Sequence, residues 1–155
     1  MSEGSGPYLF DVGVIALAHA ETPVSESALS YVRDAITGEI DAIVPHPALF
    51  GAHIVLTNYY QFSNAAASAL MENFLEAKRI HWYERLPENV VGEGFSLARE
   101  LNIDGWDGYY AGVAIDEGAR TIVTLDDDFA RVEGVSTEVV LSPEEFATLN
   151  EFLGD

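Results

Sequence analysis

Asp11 interrupts the apolar run YLFDVGVIAL. An ionised carboxylate inside such a run is costly unless it is paired, hydrogen-bonded or bound to a cation. Asp126 and Asp128 directly follow the β-branched segment RTIVTL, in TLDDDF, and so stand at the carboxyl end of a strand. Asp107 lies in the first turn of a helix that begins near Asp104. Carboxylates brought together from three separate segments repel one another, and a divalent cation relieves that repulsion. Oxygen-only ligands suit Mg²⁺ or Mn²⁺. Such ions bind phosphate oxygens and activate water for phosphodiester hydrolysis. Each residue also has a local reading. Asp11 could cap a turn, Asp107 could answer the helix dipole, and Asp126 and Asp128 could close Asx turns.

The elements that must position these residues are legible from pattern. Tyr8 to Leu17 reads as a buried strand leading into a turn. Pro23 and Ser25 open a helix with Ala28, Leu29, Val32, Ala35 and Ile36 on one face, stopped at Gly38. Asp41 to Val44 is a short strand, and Pro47 starts a helix through about Tyr60. Ser63 caps the next helix, with Leu70, Met71, Phe74 and Leu75 inward. Arg79 to Tyr83 is a strand, and Pro87 opens a helix burying Val90, Val91, Leu97, Ala98 and Leu101. Asp104 to Glu117 is a further helix, ended by Gly118. Arg120 to Leu125 gives the clearest strand signal and Thr137 to Leu141 another. Ser142-Pro143-Glu144-Glu145 is a capping box opening a last helix, with Phe146, Leu149, Phe152 and Leu153 on its apolar face. Strands alternating with helices over short connections predict an α/β sandwich, its mostly parallel sheet covered on both faces. In such sheets ligands sit beyond the carboxyl ends of the strands.

Composition narrows the function. At 155 residues the chain is expected to form a single domain over 8–155, with 1–7 a flexible N-terminus. Apolar residues make up 48% and charged residues 21%, which suits a folded core. The 26 acidic side chains face only 7 basic ones, a net charge of −19, so a cationic nucleic-acid clamp is excluded. There is no cysteine, which excludes disulfides, thiolate metal sites and cysteine nucleophiles. No secretory signal or membrane span is visible, and a cytoplasmic protein is expected. An acid excess with Lys78 as its single lysine suggests a protein working in concentrated salt, where self-repulsion is screened.

The order of the segments resembles the PIN-domain family, the metal-dependent nuclease fold that includes toxins of the virulence-associated protein C (VapC) type. The resemblance runs from about Tyr8 to Leu153 and is carried by YLFDVGVIAL, DGYYAGVA, TIVTLDDDF and SPEEFATL. A first strand ending in an aspartate matches Asp11. An aspartate opening an Ala-rich helix matches Asp107, ahead of Ala111 and Ala114. The Thr-x-Asp-x-Asp-Phe segment matches Thr124, Asp126, Asp128 and Phe129. The resemblance implies a PIN-like three-layer α/β/α sandwich. It also implies a Mg²⁺- or Mn²⁺-dependent endoribonuclease whose metal-activated water attacks the phosphodiester. Asp11, Asp107 and Asp126 would be metal ligands, with Asp128 a ligand or a residue just behind them. Thr124 would orient a carboxylate through its hydroxyl, while Asp127 would point away into solvent. An RNA substrate, an antitoxin protein and a homodimer are the implied partners.

Two departures stand out. Gly13 occupies a position where the family often has Asn. The resemblance aligns Gly51, in VPHPALFGAHIVL, with a family glutamate, and no acid occurs from His46 to Tyr60. Losing one carboxylate lowers the charge available to a cation. Asp104, one turn before Asp107, is a candidate replacement ligand. His46 and His53 bracket Gly51 and would suit a softer metal, but no His-x₃-His spacing supports a site and an ordinary role is expected. Tyr59, Tyr60, Tyr109 and Tyr110 could stack bases, yet adjacent pairs on helices are expected in the core or a dimer interface. His81-Trp82-Tyr83 reads as a structural strand. Two functions follow: a metal-dependent ribonuclease toxin or RNA-processing factor, and a catalytically weakened PIN-like module acting through protein contacts.

Overall fold

The computed structural model describes residues 6–154; most of the segment 1–7 read as a flexible N-terminus lies outside the described residues. Five strands form one parallel sheet: β1 (Tyr8–Phe10), β2 (Ala42–Pro45), β3 (His81–Tyr83), β4 (Thr121–Thr124) and β5 (Ser136–Val139). Their order is β3-β2-β1-β4-β5. The inner strands β1, β2 and β4 are buried along their whole length, as parallel strands covered on both faces must be. The edge strands β3 and β5 carry exposed residues.

Among the described residues six helices connect the strands, α1 (Val12–His19), α2 (Ser25–Thr37), α3 (Pro47–Asn58), α4 (Asn64–Leu75), α5 (Glu88–Leu101) and α6 (Gly105–Glu117), and α7 (Pro143–Phe152) follows β5. The chain steps outward through β1, β2 and β3, then crosses back over β1 to β4. In parallel sheets, right-handed crossovers turn a reversal of this kind into two helical layers. Accordingly α1 packs on α2 and α3, and α3 on α4, while α5 and α6 pack on each other. None of these helices is long and apolar enough to cross a membrane.

The expected strand over Tyr8 to Leu17 is corrected. The strand ends at Phe10, and the rest of the run is α1. Val14 to Ala18 are all buried, so this helix has no polar face and its sequence shows no helical period. The turn from strand to helix occurs at Asp11. Its Oδ1 accepts the Val12 N–H at 2.7 Å, and its carbonyl accepts the Ile15 N–H at 3.3 Å. Elsewhere the helix signals match the structure. Gly38 and Gly118 end α2 and α6 with φ of 84° and 70°, the left-handed conformation that glycine adopts without strain. The Ser142–Glu145 capping box is formed in both directions. Three residues assigned to inward faces are instead partly out: Ile36, Leu75 and Phe152 are 42%, 44% and 52% exposed. Each lies within the last turn of its helix, beyond the layer it would pack against.

α5 and α6 approach closely because their contact is made of glycine. A Cβ on Gly94 would stand 2.9 Å from the Tyr109 Cα, and one on Gly108 would collide with the Gly94 carbonyl oxygen. This contact sets the height of the α6 N-terminus above the sheet.

Candidate active site

The strand order reverses between β1 and β4, so the chain leaves their carboxyl ends in opposite directions and opens a crevice there. Asp11 immediately follows β1. The Asp11 N–H donates to the Val123 carbonyl at 3.0 Å, which ties the residue to β4 across that crevice. Thr124, the last residue of β4, is fully buried, and its Oγ1 donates to Asp11 Oδ2 at 3.0 Å. Both Asp11 oxygens are therefore held. Asp126 follows β4, and its Oδ1 accepts the Asp128 N–H at 3.0 Å in an Asx turn. Asp104 caps α6 by accepting the Asp107 N–H at 2.8 Å, which places Asp107 in the first helical turn. The local capping roles and the gathering at one place are thus both present.

The carboxylates act on one another electrostatically. Burial pushes the Asp11 carboxyl up to about 6, and the charges of Asp126 and Asp104 add to it, against hydrogen bonds from Thr124 and Val12 that lower it. Burial, followed by Asp11, Asp104, Asp128 and Asp126, raises Asp107 to about 8. Asp128 is raised by burial and then by Asp126 and Asp127. Among the described residues the ion pairs are Arg33–Glu26 and His81–Glu117, and neither reaches this site. Arg131 stands near these carboxylates without forming an ion pair among the described residues.

Two cavities meet at Asp107. One, of about 500 Å³, is lined by Asp104, Asp107, Asp127 and Asp128, with Arg131 on its wall. The other, of about 200 Å³, is lined by Asp11, Asp107, Gly51, Val12, Trp106 and Tyr110. Asp127 is exposed to solvent yet shares the first cavity, so its charge acts there. Gly51 does face Asp11 and Asp107. A Cβ built on it would lie 2.9 Å from Val12 Cγ2, so Val12 occupies the space a longer side chain would need. At Gly13 a Cβ would lie 3.1 Å from Leu125 Cδ1.

The donor set fits a hard divalent cation in chemistry: oxygen ligands, anionic and mutually repelling. Among the described residues no three His, Asp or Glu side chains gather tightly enough to hold a metal ion. The carboxylates surround the crevice, and a cation would have to draw them in.

The remaining candidates lie apart from the carboxylates. His46 packs on Trp82 at 5.6 Å between ring centroids, and His53 Nε2 pairs with Ser68 Oγ at 3.0 Å. Both line a separate, largely apolar cavity. Trp82 Nε1 donates to the Ala77 carbonyl at 2.9 Å within the structural strand segment. Tyr59 is exposed and Tyr60 half-buried, whereas Tyr109 and Tyr110 are buried, with hydroxyls that have no hydrogen-bond partner among the described residues. Sequence reasoning missed Trp106. It is half-exposed on the cavity wall beside Asp107, and its place directly before that aspartate was the available signal.

No family profile and no curated protein matches this sequence. Solved structures do. PAE2754 of Pyrobaculum aerophilum is similar with a TM-score of 0.57 and 20% identity over 96% of this chain and 97% of its own. The Mycobacterium tuberculosis toxin VapC20, which cleaves the sarcin–ricin loop, gives 0.63 and 14% over 83% and 98%. VapBC2 of Rickettsia felis, solved on a DNA fragment from its promoter, gives 0.59 and 17% over 85% and 97%. The chain has the PIN-like three-layer α/β/α fold, with an all-parallel central sheet.

Proposed function

We propose that this chain is a divalent-metal-dependent endoribonuclease of the PIN type and the toxin of a toxin–antitoxin pair. The observation that carries this reading is the placement of Asp11, Asp104, Asp107, Asp126 and Asp128 around the β1/β4 crevice by the ends of β1, β4 and α6. A protein gains no stability from repulsion among carboxylates, and a bound cation turns it into affinity. The fold shared with VapC20 and VapBC2 supports the nuclease and antitoxin parts of the reading.

Asp11, Asp107, Asp126 and Asp128 would hold Mg²⁺ or Mn²⁺, with Asp104 able to substitute for the carboxylate lacking at Gly51. When bound, the ion supplies charge neutralisation at the phosphate and a lowered pKa for water. The protein's own residues prepare the site. Thr124 fixes Asp11 through Oδ2, and the Val12 N–H fixes Oδ1. The Asx turn at Asp126 sets the direction of Asp128. Asp104 anchors the α6 N-terminus and with it Asp107.

Gly51 favours a second reading, a PIN-like module with weakened catalysis that works through protein contacts. One experiment separates the two. End-labelled RNA is incubated in molar KCl with Mn²⁺ or Mg²⁺, with wild type and Asp107→Asn side by side. Cleavage by the wild type alone supports the nuclease. Equal activity in both points to a contaminant and, like no activity in either, supports the non-catalytic module.

A further inference from the structure

The cavity beside Gly51 joins two chemistries. Asp11 and Asp107 form one end, and Val12, Ile54, Trp106 and Tyr110 supply apolar walls. Gly51 lines it as well, with Val12 packed against the side where a Cβ would stand. Trp106 packs on two tyrosines: its ring lies nearly parallel to that of Tyr110, with centroids 5.7 Å apart and planes 17° apart, and it meets Tyr109 edge-on at 6.3 Å. The residue is nevertheless 50% exposed. A flat ring, pre-set by packing and adjacent to carboxylates that would handle a phosphodiester, is the arrangement that stacks an unpaired base. The charge balance argues the same way. With 26 acidic and 7 basic side chains, phosphate-to-cation contacts cannot supply much affinity for RNA.

We propose that this cavity is a nucleobase subsite, in which Trp106 stacks an unpaired base of the RNA next to the scissile phosphate. The proposal rests on the nuclease reading above.

The test is binding and cleavage of a fluorescein-labelled oligouridylate and of the same oligomer carrying one abasic residue. Binding is read by anisotropy in EDTA, so that turnover does not intervene, and cleavage is read with Mn²⁺. Trp106→Leu should weaken binding of the intact oligomer about ten-fold or more, within the range of base–aromatic stacking, and raise KM more than it lowers kcat. Trp106→Phe should restore most of the affinity. The abasic oligomer placed at the cleavage position should bind wild type and Trp106→Leu alike. A wild type that cuts the oligomer with a KM unchanged in Trp106→Leu overturns the subsite and leaves the nuclease reading standing. An equal loss on the abasic oligomer also overturns the subsite and makes Trp106 a general folding or docking residue. A wild type that neither binds nor cuts RNA overturns both.

Discussion

Thr124 and Asp107 carry the sharpest expectations at the scale of single residues. Thr124→Val keeps the shape but leaves the partly buried Asp11 Oδ2 without its donor. An unsatisfied buried acceptor costs about 1–3 kcal/mol, so the urea midpoint should fall accordingly at neutral pH. An unchanged midpoint would mean that Asp11 is already solvated or protonated there. Asp107 gives a pH signature in the metal-free chain. Its carboxyl is raised from 3.8 to about 8, so the folded protein keeps a proton that the unfolded chain releases. Between those values the unfolded state binds fewer protons, and stability falls as pH rises. The contribution is complete below about 4 and gone above about 8. Melting in EDTA across this range should show the decline, and Asp107→Asn should flatten it. Mn²⁺ should then raise the wild-type melting temperature, more at pH 8 than at pH 6, because a cation binds ionised carboxylates. A Mn²⁺ effect of equal size in Asp107→Asn would remove that residue from the cation site.

Between elements, the α5–α6 contact decides where Asp107 stands. Gly108→Ala places a methyl group against the Gly94 carbonyl, and the helices must part. Overpacking of this kind costs about 1–3 kcal/mol. On the nuclease reading, the proposed cleavage should fall with it, because the α6 N-terminus shifts relative to β1 and β4. Gly92→Ala is the matched control. It lies in the same α5, and a Cβ there meets nothing within 4 Å. It should stabilise by about 0.5–1 kcal/mol through the lower entropy of the unfolded chain. Chemical denaturation of the two variants checks both signs, and a Gly108→Ala as stable as the wild type would show that the two helices slide freely.

For the molecule as a whole, charge dominates. A net charge of −19 on one small domain repels itself, and the repulsion reaches about 10 Å at 0.1 M salt but only about 3 Å at 1 M. The melting temperature should therefore rise from low to molar KCl, as the reading of a protein suited to concentrated salt requires. A flat or falling curve in a KCl titration would sink that reading. If the chain binds RNA as proposed, the same charge would make that binding depend on a cation and on stacking, so affinity for an RNA oligomer should fall only weakly with added KCl.

Pattern and chemistry made much of this protein legible. The strand RTIVTL, the glycine stops at Gly38 and Gly118 and the Ser142 capping box are local signals whose energetics is local, and they stand in the structure as they read in the sequence. The parallel α/β class followed from alternation alone, since parallel strands need crossovers and crossovers cover both faces. The short β1 was not legible, because α1 is buried on every side and a helix without a polar face has no period to read. Trp106 was passed over because exposure is a tertiary property: Tyr109 and Tyr110, three and four residues further along the same helix, are buried while it is open. The sequence by itself determined which acids could act and at which ends of which elements they stand. Only the tertiary structure decided that Asp11, Asp104, Asp107, Asp126 and Asp128 share one field, that Thr124 holds Asp11, and that Gly51 opens toward them. The reason is physical: helix caps and β-branched strands are short-range, whereas charge repulsion, burial and the glycine contact between α5 and α6 join residues far apart in the chain.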